Sequence, residues 1–481
     1  MSFVQPEQLA ASYETIVIGS GFGSFFFLNE YLKRRRPGRV LLIEWGAHKT
    51  HDWQVQNKSN SIYETELLYT RREGERAWHY SIAFGGGTCC WWAFCPRNHP
   101  NDFRLKSKYG VGVDWPISYE DLAPFYHEAE QIMLVAGPDD IGLHYPGAGK
   151  FAQPPHRMND IDRIMKAAQP DQHFVMPNGR LSRPVGSRGA CCGTFTCHWC
   201  PVDAKFTALN SMQDIIAHPD LDICVESKAE FIDVENKIAK GVHFINGGKE
   251  FRVRADLVVL GANAIHSPVL LLQSGFEHPL IGRYLHEKME FTVEAFLNGV
   301  NNFSGSTITT CINLSLLDGP HRRNYGAAML YFENQPNFGL RVETGRWRQV
   351  LPMTIAVEPL PEHSSVVTRG ADGRPHVSHP KLSEYGLKGV DAAIERLPIL
   401  LRPLPVERIE LRNTDAVSVH LQGTLRMGND PSESVVDARQ IHHHVRNLVV
   451  VGSSVFPTSG SAPPSLTVAA MSLRSARLID G

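Results

Sequence analysis

Four of the chain's nine cysteines fall within ten residues, in the run Cys191-Cys192-Gly193-Thr194-Phe195-Thr196-Cys197-His198-Trp199-Cys200-Pro201. A Cys-x2-Cys pair preceded by two more thiols has ligand spacing for zinc or an iron–sulfur cluster, and a proline after the last cysteine occurs in ferredoxin-type runs. The same residues also read as buried thiols that behave as small hydrophobes, and both readings stand at this point. His442-His443-His444 resembles a metal tract as well. It leads into an apolar strand, where consecutive side chains face opposite sides, so three adjacent imidazoles cannot converge on one ion.

A third group points to anion binding. Gly19-Ser20-Gly21-Phe22-Gly23-Ser24 follows an apolar strand and opens a helix. The first glycine permits a tight turn, the second lets backbone approach a pyrophosphate, and a small residue at Ser24 lets helix and strand pack closely. The phosphates would lie on the helix N-terminus, where free N–H groups and the dipole favour negative charge. Glu44 ends the next strand and can accept hydrogen bonds from the ribose hydroxyls of an adenosine. Strand, turn, helix, strand and acid together specify a dinucleotide far better than the glycines alone.

These groups need a scaffold to hold them. At 481 residues the chain exceeds what one hydrophobic core usually supports, which predicts two domains or one with a large insertion. The strands read at 15–18 and 40–44 make a βαβ unit, and hence a parallel sheet covered by helices. Runs at 221–225, 257–260 and 448–451 have the Val, Ile and Leu density of further buried strands. The sequence therefore predicts an α/β fold: a Rossmann-like nucleotide domain built from discontinuous segments (1–110, 185–290 and 415–481), ending in a helix at 465–478. The segments 111–184 and 291–414, richer in proline, charge and irregular turns, are assigned to an α+β substrate-binding domain with an antiparallel sheet.

Composition narrows the partners. A net charge of -2 gives no reason to expect nucleic acid or an anionic membrane surface. The basic run Lys33 to Arg36 reads as the solvated C-terminal turn of the first helix. No stretch is apolar enough for a membrane span. The first strand begins too early to leave room for a secretory signal, and nine cysteines without one predict a reducing, cytoplasmic setting.

The C-terminal part separates NAD from FAD. His420-Leu421-Gln422-Gly423-Thr424-Leu425-Arg426-Met427-Gly428 is followed by Asn447-Leu448-Val449-Val450-Val451-Gly452-Ser453-Ser454-Val455-Phe456-Pro457-Thr458-Ser459-Gly460, then Pro464-Ser465-Leu466-Thr467-Val468. With the opening βαβ unit, this resembles the glucose-methanol-choline (GMC) oxidoreductase family, nearest its pyranose oxidase and gluconate/glucose dehydrogenase branches. Gly85-Gly86-Gly87 with Trp91 and Cys95-Pro96-Arg97, Asp114-Trp115-Pro116-Ile117-Ser118-Tyr119, and Leu260-Gly261-Ala262 with Ser267-Pro268 carry the likeness through the middle of the chain. The region 300–410 carries no motif of the family.

The resemblance implies bound FAD and oxidation of an alcohol, on a sugar, aminosugar or other polyol, by hydride transfer to flavin N5. Gly19, Gly21, Ser24 and Glu44 would hold the adenosine diphosphate half, with Val225 meeting the adenine through its backbone. Gly86, Gly87 and Ala262 would lie along the cofactor. Gly452 and Ser453 would approach the pyrophosphate, and the Ser465 and Leu466 amides would face the pyrimidine end of the flavin. His420 would be the base, a role that suits an imidazole titrating near neutrality. The electron acceptor would be O2, a quinone or a protein.

Three departures qualify the likeness. The family generally has Asn or His just before Pro464, sharing the substrate oxygen with the base; Pro463 stands here and offers no donor. Either His420 works alone, or another side chain such as Ser461 or His198 supplies the bond, or the flavin no longer oxidises alcohols. Some sugar dehydrogenases of the family hold a three-iron cluster on a comparable loop, which makes Cys191, Cys192, Cys197 and Cys200 its candidate ligands, although the last spacing is one residue shorter here. Cys90 stands where covalently flavinylated relatives have His, so noncovalent FAD is expected. A non-redox flavoprotein of lyase type and an electron-transfer subunit are the competing readings.

Overall fold

The computed structural model describes residues 3–34, 38–334, 340–413 and 419–479. Arg35 and Arg36 of the basic run, and residues 415–418 of the last nucleotide-domain segment, lie outside them.

Strand Ser12–Ile18 sits inside a seven-stranded sheet. The order is Leu221–Cys224, Val40–Ile43, Ser12–Ile18, Lys249–Leu260, Ile238–Asn246 and Ser227–Glu235, with Leu448–Val450 also on Lys249–Leu260. The long strand Lys249–Leu260 has two successive neighbours. Its first half pairs antiparallel with Ile238–Asn246, and its end pairs parallel with Leu448–Val450. The sequence follows that change: polar and apolar residues alternate through the hairpin half, where one face meets solvent, and Val258, Val259 and Leu260 are all buried where both faces are covered. Only this last part was readable as a strand from apolar density.

Helix Phe22–Arg34 crosses the sheet with Phe25, Phe26, Phe27 and Leu28 fully buried. The last helix, Ser465–Leu478, lies against it, in the place the sequence predicts. Helix Tyr119–Ile132 packs on the other side of that last helix. Tyr126 Oη and Thr467 Oγ1 share a hydrogen bond of 2.8 Å, and Arg477 donates to Glu30 at 2.8 Å and to Glu128 at 2.7 Å. Tyr119, Leu122, Tyr126, Tyr145 and Phe151 join the nucleotide-domain core. This packing departs from the division at residue 111, because apolar burial, and not proline or charge content, decides where a segment belongs. We propose a division in which 111–151 goes with the nucleotide domain.

The second sheet is antiparallel throughout, in the order Val406–Asn413, Met289–Leu297, Val350–Val357, Ala328–Glu333, Thr309–Asn313 and His173–Val175. Helices Asp160–Ala168 and Glu384–Leu400 complete its core through Ile161, Met165, Val390, Ala393 and Leu397. A third, small sheet, with no counterpart in the sequence reading, joins Gln422–Thr424, Arg283–His286, Val366–Arg369, Pro375–Ser378 and Thr70–Arg71. It draws strands from both halves and carries the approach to His420.

The two halves are tied by a buried charge network. Arg322 is wholly buried; it donates to Asp102 at 2.7 Å and to Glu358 at 2.6 Å and 3.2 Å. Asp102 follows the Cys95-Pro96-Arg97 stretch, whereas Glu358 ends a strand of the second sheet. Removing the cation strands two carboxylates in the interior. Arg322→Met is therefore expected to cost about 3–5 kcal/mol, the usual size for breaking a buried pair, read as a lower denaturant midpoint.

Candidate active site

A cavity of about 300 Å³ opens beside the glycine turn. Gly19, Gly21, Glu44, Gly86, Gly87 and Ala262 line it, six of the residues singled out from sequence. Its walls exist because backbones touch. A Cβ on Gly19 would stand 2.6 Å from the Gly261 carbonyl oxygen, and one on Gly86 2.9 Å from the Gly21 Cα. A Cβ on Gly23 would meet the Gly452 nitrogen at 2.7 Å. Gly19 and Gly86 also have φ of +87° and +49°, which favour glycine. Ser24 is fully buried against Gly261, where a larger side chain would separate helix from strand. By contrast a Cβ on Gly21 or Gly452 would meet nothing within 4 Å. These two face open space at the helix N-terminus, where a pyrophosphate needs close backbone.

Glu44 is held in place by its own turn. Its carboxylate accepts from the Ser20 backbone N–H at 2.9 Å, the Ser20 hydroxyl at 2.6 Å and the Gly46 N–H at 2.6 Å. A carboxylate has about four acceptor sites, so one remains for a ribose hydroxyl. Burial pushes the Glu44 carboxyl up to about 7, against the pull of those donors. Across the cavity, burial pushes His266 down to about 3. Its Nε2 meets the Tyr80 hydroxyl at 2.9 Å, and its edge faces the Trp45 ring.

Val225 does not line the cavity. Its carbonyl accepts from Asn246 Nδ2 at 3.0 Å and Ser227 Oγ at 3.1 Å, and Ser227, Lys228 and Ala229 form the wall instead. Ser24, Gly452, Ser453, Ser465 and Leu466 also lie off it. Ser453 leads toward His420, since its hydroxyl donates to the Leu421 carbonyl at 2.5 Å. Arg374 and Pro375 complete the wall from a hairpin that the sequence reading gave to the substrate domain. No local signal announces them, because the small sheet brings them there by long-range pairing.

His420 is clamped through its backbone. Its N–H and that of Val419 donate to Glu287 Oε2 at 3.2 Å and 3.0 Å. Glu287 is buried and ion-paired with Arg76, and burial pushes its carboxyl up to about 7. The imidazole Nδ1 of His420 is buried with no partner among the described residues. Burial first, and then the Lys288 charge, hold the ring well below the ordinary histidine range, so it is a neutral acceptor at neutral pH. Pro463 and Ser461 sit in the buried turn before the last helix, and the Ser461 hydroxyl is also without a partner among the described residues. His198 cannot supply the missing bond in this arrangement: its Nε2 accepts from Trp92 Nε1 at 3.0 Å, and its Nδ1 donates to the Cys90 carbonyl at 2.8 Å.

The cysteine loop is spread out. Cys192 is exposed, Cys191 half-buried, and Cys197 and Cys200 buried. Among the described residues the one group of three or more His, Cys, Asp or Glu with ligand atoms within 4.8 Å is Asp162, His173 and Cys311. Burial raises the Cys90 thiol and pushes Cys89 up to about 11, so both are weak nucleophiles. The histidine tract leads into Leu448–Val450 as expected, with His442 bridging Val436 and the chain then bending: His442 Nδ1 accepts from the His444 and Val445 N–H groups, and His443 Nε2 meets Ser434.

Comparison with known proteins decides the family. The N-terminal and C-terminal models of the GMC oxidoreductases match residues 59–290 and 392–472. The chain belongs to the GMC oxidoreductase family. This oxidoreductase is FAD-dependent and oxidises alcohols. It is 29% identical to the fructose dehydrogenase large subunit of Gluconobacter japonicus, over 97% of this chain and 98% of that one. It is also 29% identical to the 6'''-hydroxyparomomycin C oxidase of Streptomyces lividus, over 99% and 93% respectively. In fold it matches pyridoxine 4-oxidase from Mesorbium loti with a TM-score of 0.69 at 18% identity, covering 97% of this chain and 99% of the other.

The residues present fit FAD. The open space at Gly21 and Gly452 and the free acceptor site on Glu44 suit a pyrophosphate and a ribose, and the Ser453 hydroxyl ties the Gly452 turn to Leu421, next to His420. We propose that Gly19, Gly21, Glu44, Gly86, Gly87 and Ala262 hold the adenosine half. The Gly452–Ser453 turn and the amides of Ser465 and Leu466 would hold the rest.

Two outcomes test this cradle. Gly21→Ala should leave the melting temperature of the FAD-free enzyme nearly unchanged, since the added Cβ meets no protein atom within 4 Å, while weakening FAD binding by fluorescence titration. Glu44→Gln should alter the pH dependence of stability. The folded carboxyl titrates near 7 against an ordinary 4.5, so its contribution is full below about 4.5 and is lost as pH rises through about 7. Denaturant midpoints of FAD-free wild type should therefore fall relative to Glu44→Gln across that window, and run parallel above it. Parallel curves throughout would show that Glu44 does not titrate there.

Proposed function

We propose that this oxidoreductase acts on a hydroxyl of a sugar, aminosugar or polyol, with His420 as the base. The observation that carries the base assignment is the His420 Nδ1: buried, unpartnered among the described residues, and part of a ring held neutral by its surroundings. A neutral imidazole fixed through its backbone can take a proton without rearranging. Bound FAD supplies the hydride acceptor. The chain's own part is to desolvate the alcohol, hold its oxygen at the imidazole and remove the O–H proton as the carbon is oxidised.

The substrate class rests on the relatives, whose names include fructose dehydrogenase, paromamine 6'-oxidase and C-glycoside 3-oxidase. Oxidases and dehydrogenases both occur among them, which supports O2, a quinone or a protein as acceptor. No helix among the described residues is long and apolar enough to cross a membrane. The nine unpaired cysteines support the cytoplasmic setting.

Anaerobic absorption spectra with a panel of sugars, aminosugars and polyols test the reading. Bleaching of the flavin bands by one class supports it and names the class. Full absorbance with every compound would favour a non-redox role. His420→Ala should retain FAD and lose at least about 10²-fold in the rate of flavin reduction, the usual size of a general-base contribution. Near-normal reduction would remove His420 from the chemistry.

A further inference from the structure

Lys288 follows Glu287, the carboxylate that holds the His420 backbone. In the pairing of Gln422–Thr424 with Arg283–His286, Gln422 lies opposite His286. The ladder ends at that pair, and just beyond it Glu287 reaches across to accept from the backbone N–H groups of Val419 and His420. The Lys288 charge is the one side-chain influence on the His420 ring besides burial.

The lysine is almost wholly buried at 1% exposure. Its Nζ pairs with Glu290 and lies 5.3 Å from the centre of the Tyr331 ring. The Tyr331 hydroxyl in turn donates to the Ser461 carbonyl at 3.4 Å, in the turn that ends at Pro463. Lys288 is thus linked to the proline turn through Tyr331, while its charge is felt at the His420 ring. An ammonium has three donors, and Glu290 occupies one. Burying such a group is costly unless its remaining donors find acceptors.

We propose that Lys288 is a further catalytic residue, donating to the substrate oxygen the hydrogen bond that Pro463 cannot give. This rests on the alcohol oxidation proposed above. In the step, the O–H bond breaks and its proton goes to the His420 ring. The C–H bond breaks and its hydrogen leaves as hydride, with both electrons, to bound FAD. The oxygen's freed electron pair forms the second bond of the carbonyl. Burial lowers Lys288 to about 7, and it is the protonated form that acts, keeping its proton and stabilising the negative charge that builds on oxygen.

The experiment compares Lys288→Met with Lys288→Arg in anaerobic stopped-flow reduction by an alcohol that bleaches the wild type. Lys288→Met should slow flavin reduction by about 10²-fold, the usual loss of one preorganised donor, and Lys288→Arg by less than about tenfold. Adding Pro463→Asn to Lys288→Met should recover much of the rate, which a packing role for Lys288 would not allow. A second readout needs no turnover. Ring NMR of FAD-free protein should show the His420 titration moved upward in Lys288→Met, because a cation beside it is gone while Glu287, Glu290 and Arg76 remain. Reduction of Lys288→Met within threefold of wild type, equal losses for Met and Arg, or an unmoved His420 titration would overturn the proposal while leaving alcohol oxidation standing. A wild type that no alcohol bleaches would overturn both.

Discussion

The site depends on backbone meeting backbone. The turn at Gly19–Ser24, the turn at Gly85–Gly87, the strand end at Gly261 and the turn at Gly452 converge so closely that a Cβ on Gly19, Gly23 or Gly86 would fall inside a neighbouring backbone. These segments come from the start, the middle and the end of the chain. Without that contact the helix N-terminus would not face a cavity, and Glu44 would not be sealed beneath it. The glycines are therefore less a phosphate signature than a condition for closing the sheet over its ligand.

Charge placement follows from the same closure. Glu44, Glu287 and Lys288 are ionisable groups shut away from water, and each is pushed toward neutrality by burial. Each is also held by specific partners: Ser20 and Gly46, Arg76, and Glu290. The interior that desolvates these groups desolvates His420 too, and an imidazole that stays unprotonated at neutral pH is the result. In this arrangement pKa values are set by where the backbone closes, and the charged neighbours only trim them.

The sequence made legible whatever is encoded locally. The βαβ unit, the acid at Glu44, the glycine turn and the last helix all rest on patterns a few residues long, and the structure has each of those elements. The helix Tyr119–Ile132 shows the limit: its proline and charge suggested the outer domain, yet its apolar face is buried on the last helix. The small sheet was invisible because its strands are two to four residues long and, apart from the hairpin Val366–Arg369 with Pro375–Ser378, pair between distant parts of the chain. With it went Arg374 and Pro375 at the cavity, and the approach of Glu287 to the His420 backbone. The one available signal was chemical: an acid and a base, Glu287 and Lys288, side by side just before the strand Met289–Leu297.

The double duty of Lys249–Leu260 bears on how the polypeptide is made. Its hairpin half can pair as soon as it leaves the ribosome, because its partner Ile238–Asn246 has just preceded it. Its terminal half waits for Leu448–Val450, which is synthesised near the end. Until then Val258, Val259 and Leu260 present an open, apolar strand edge, the kind of surface that nascent chains lose to aggregation. The nucleotide fold therefore begins first and finishes last. A ribosome that stalls anywhere in the second sheet releases a product with that edge bare, and chaperone demand for this enzyme should track the time spent translating the stretch between them.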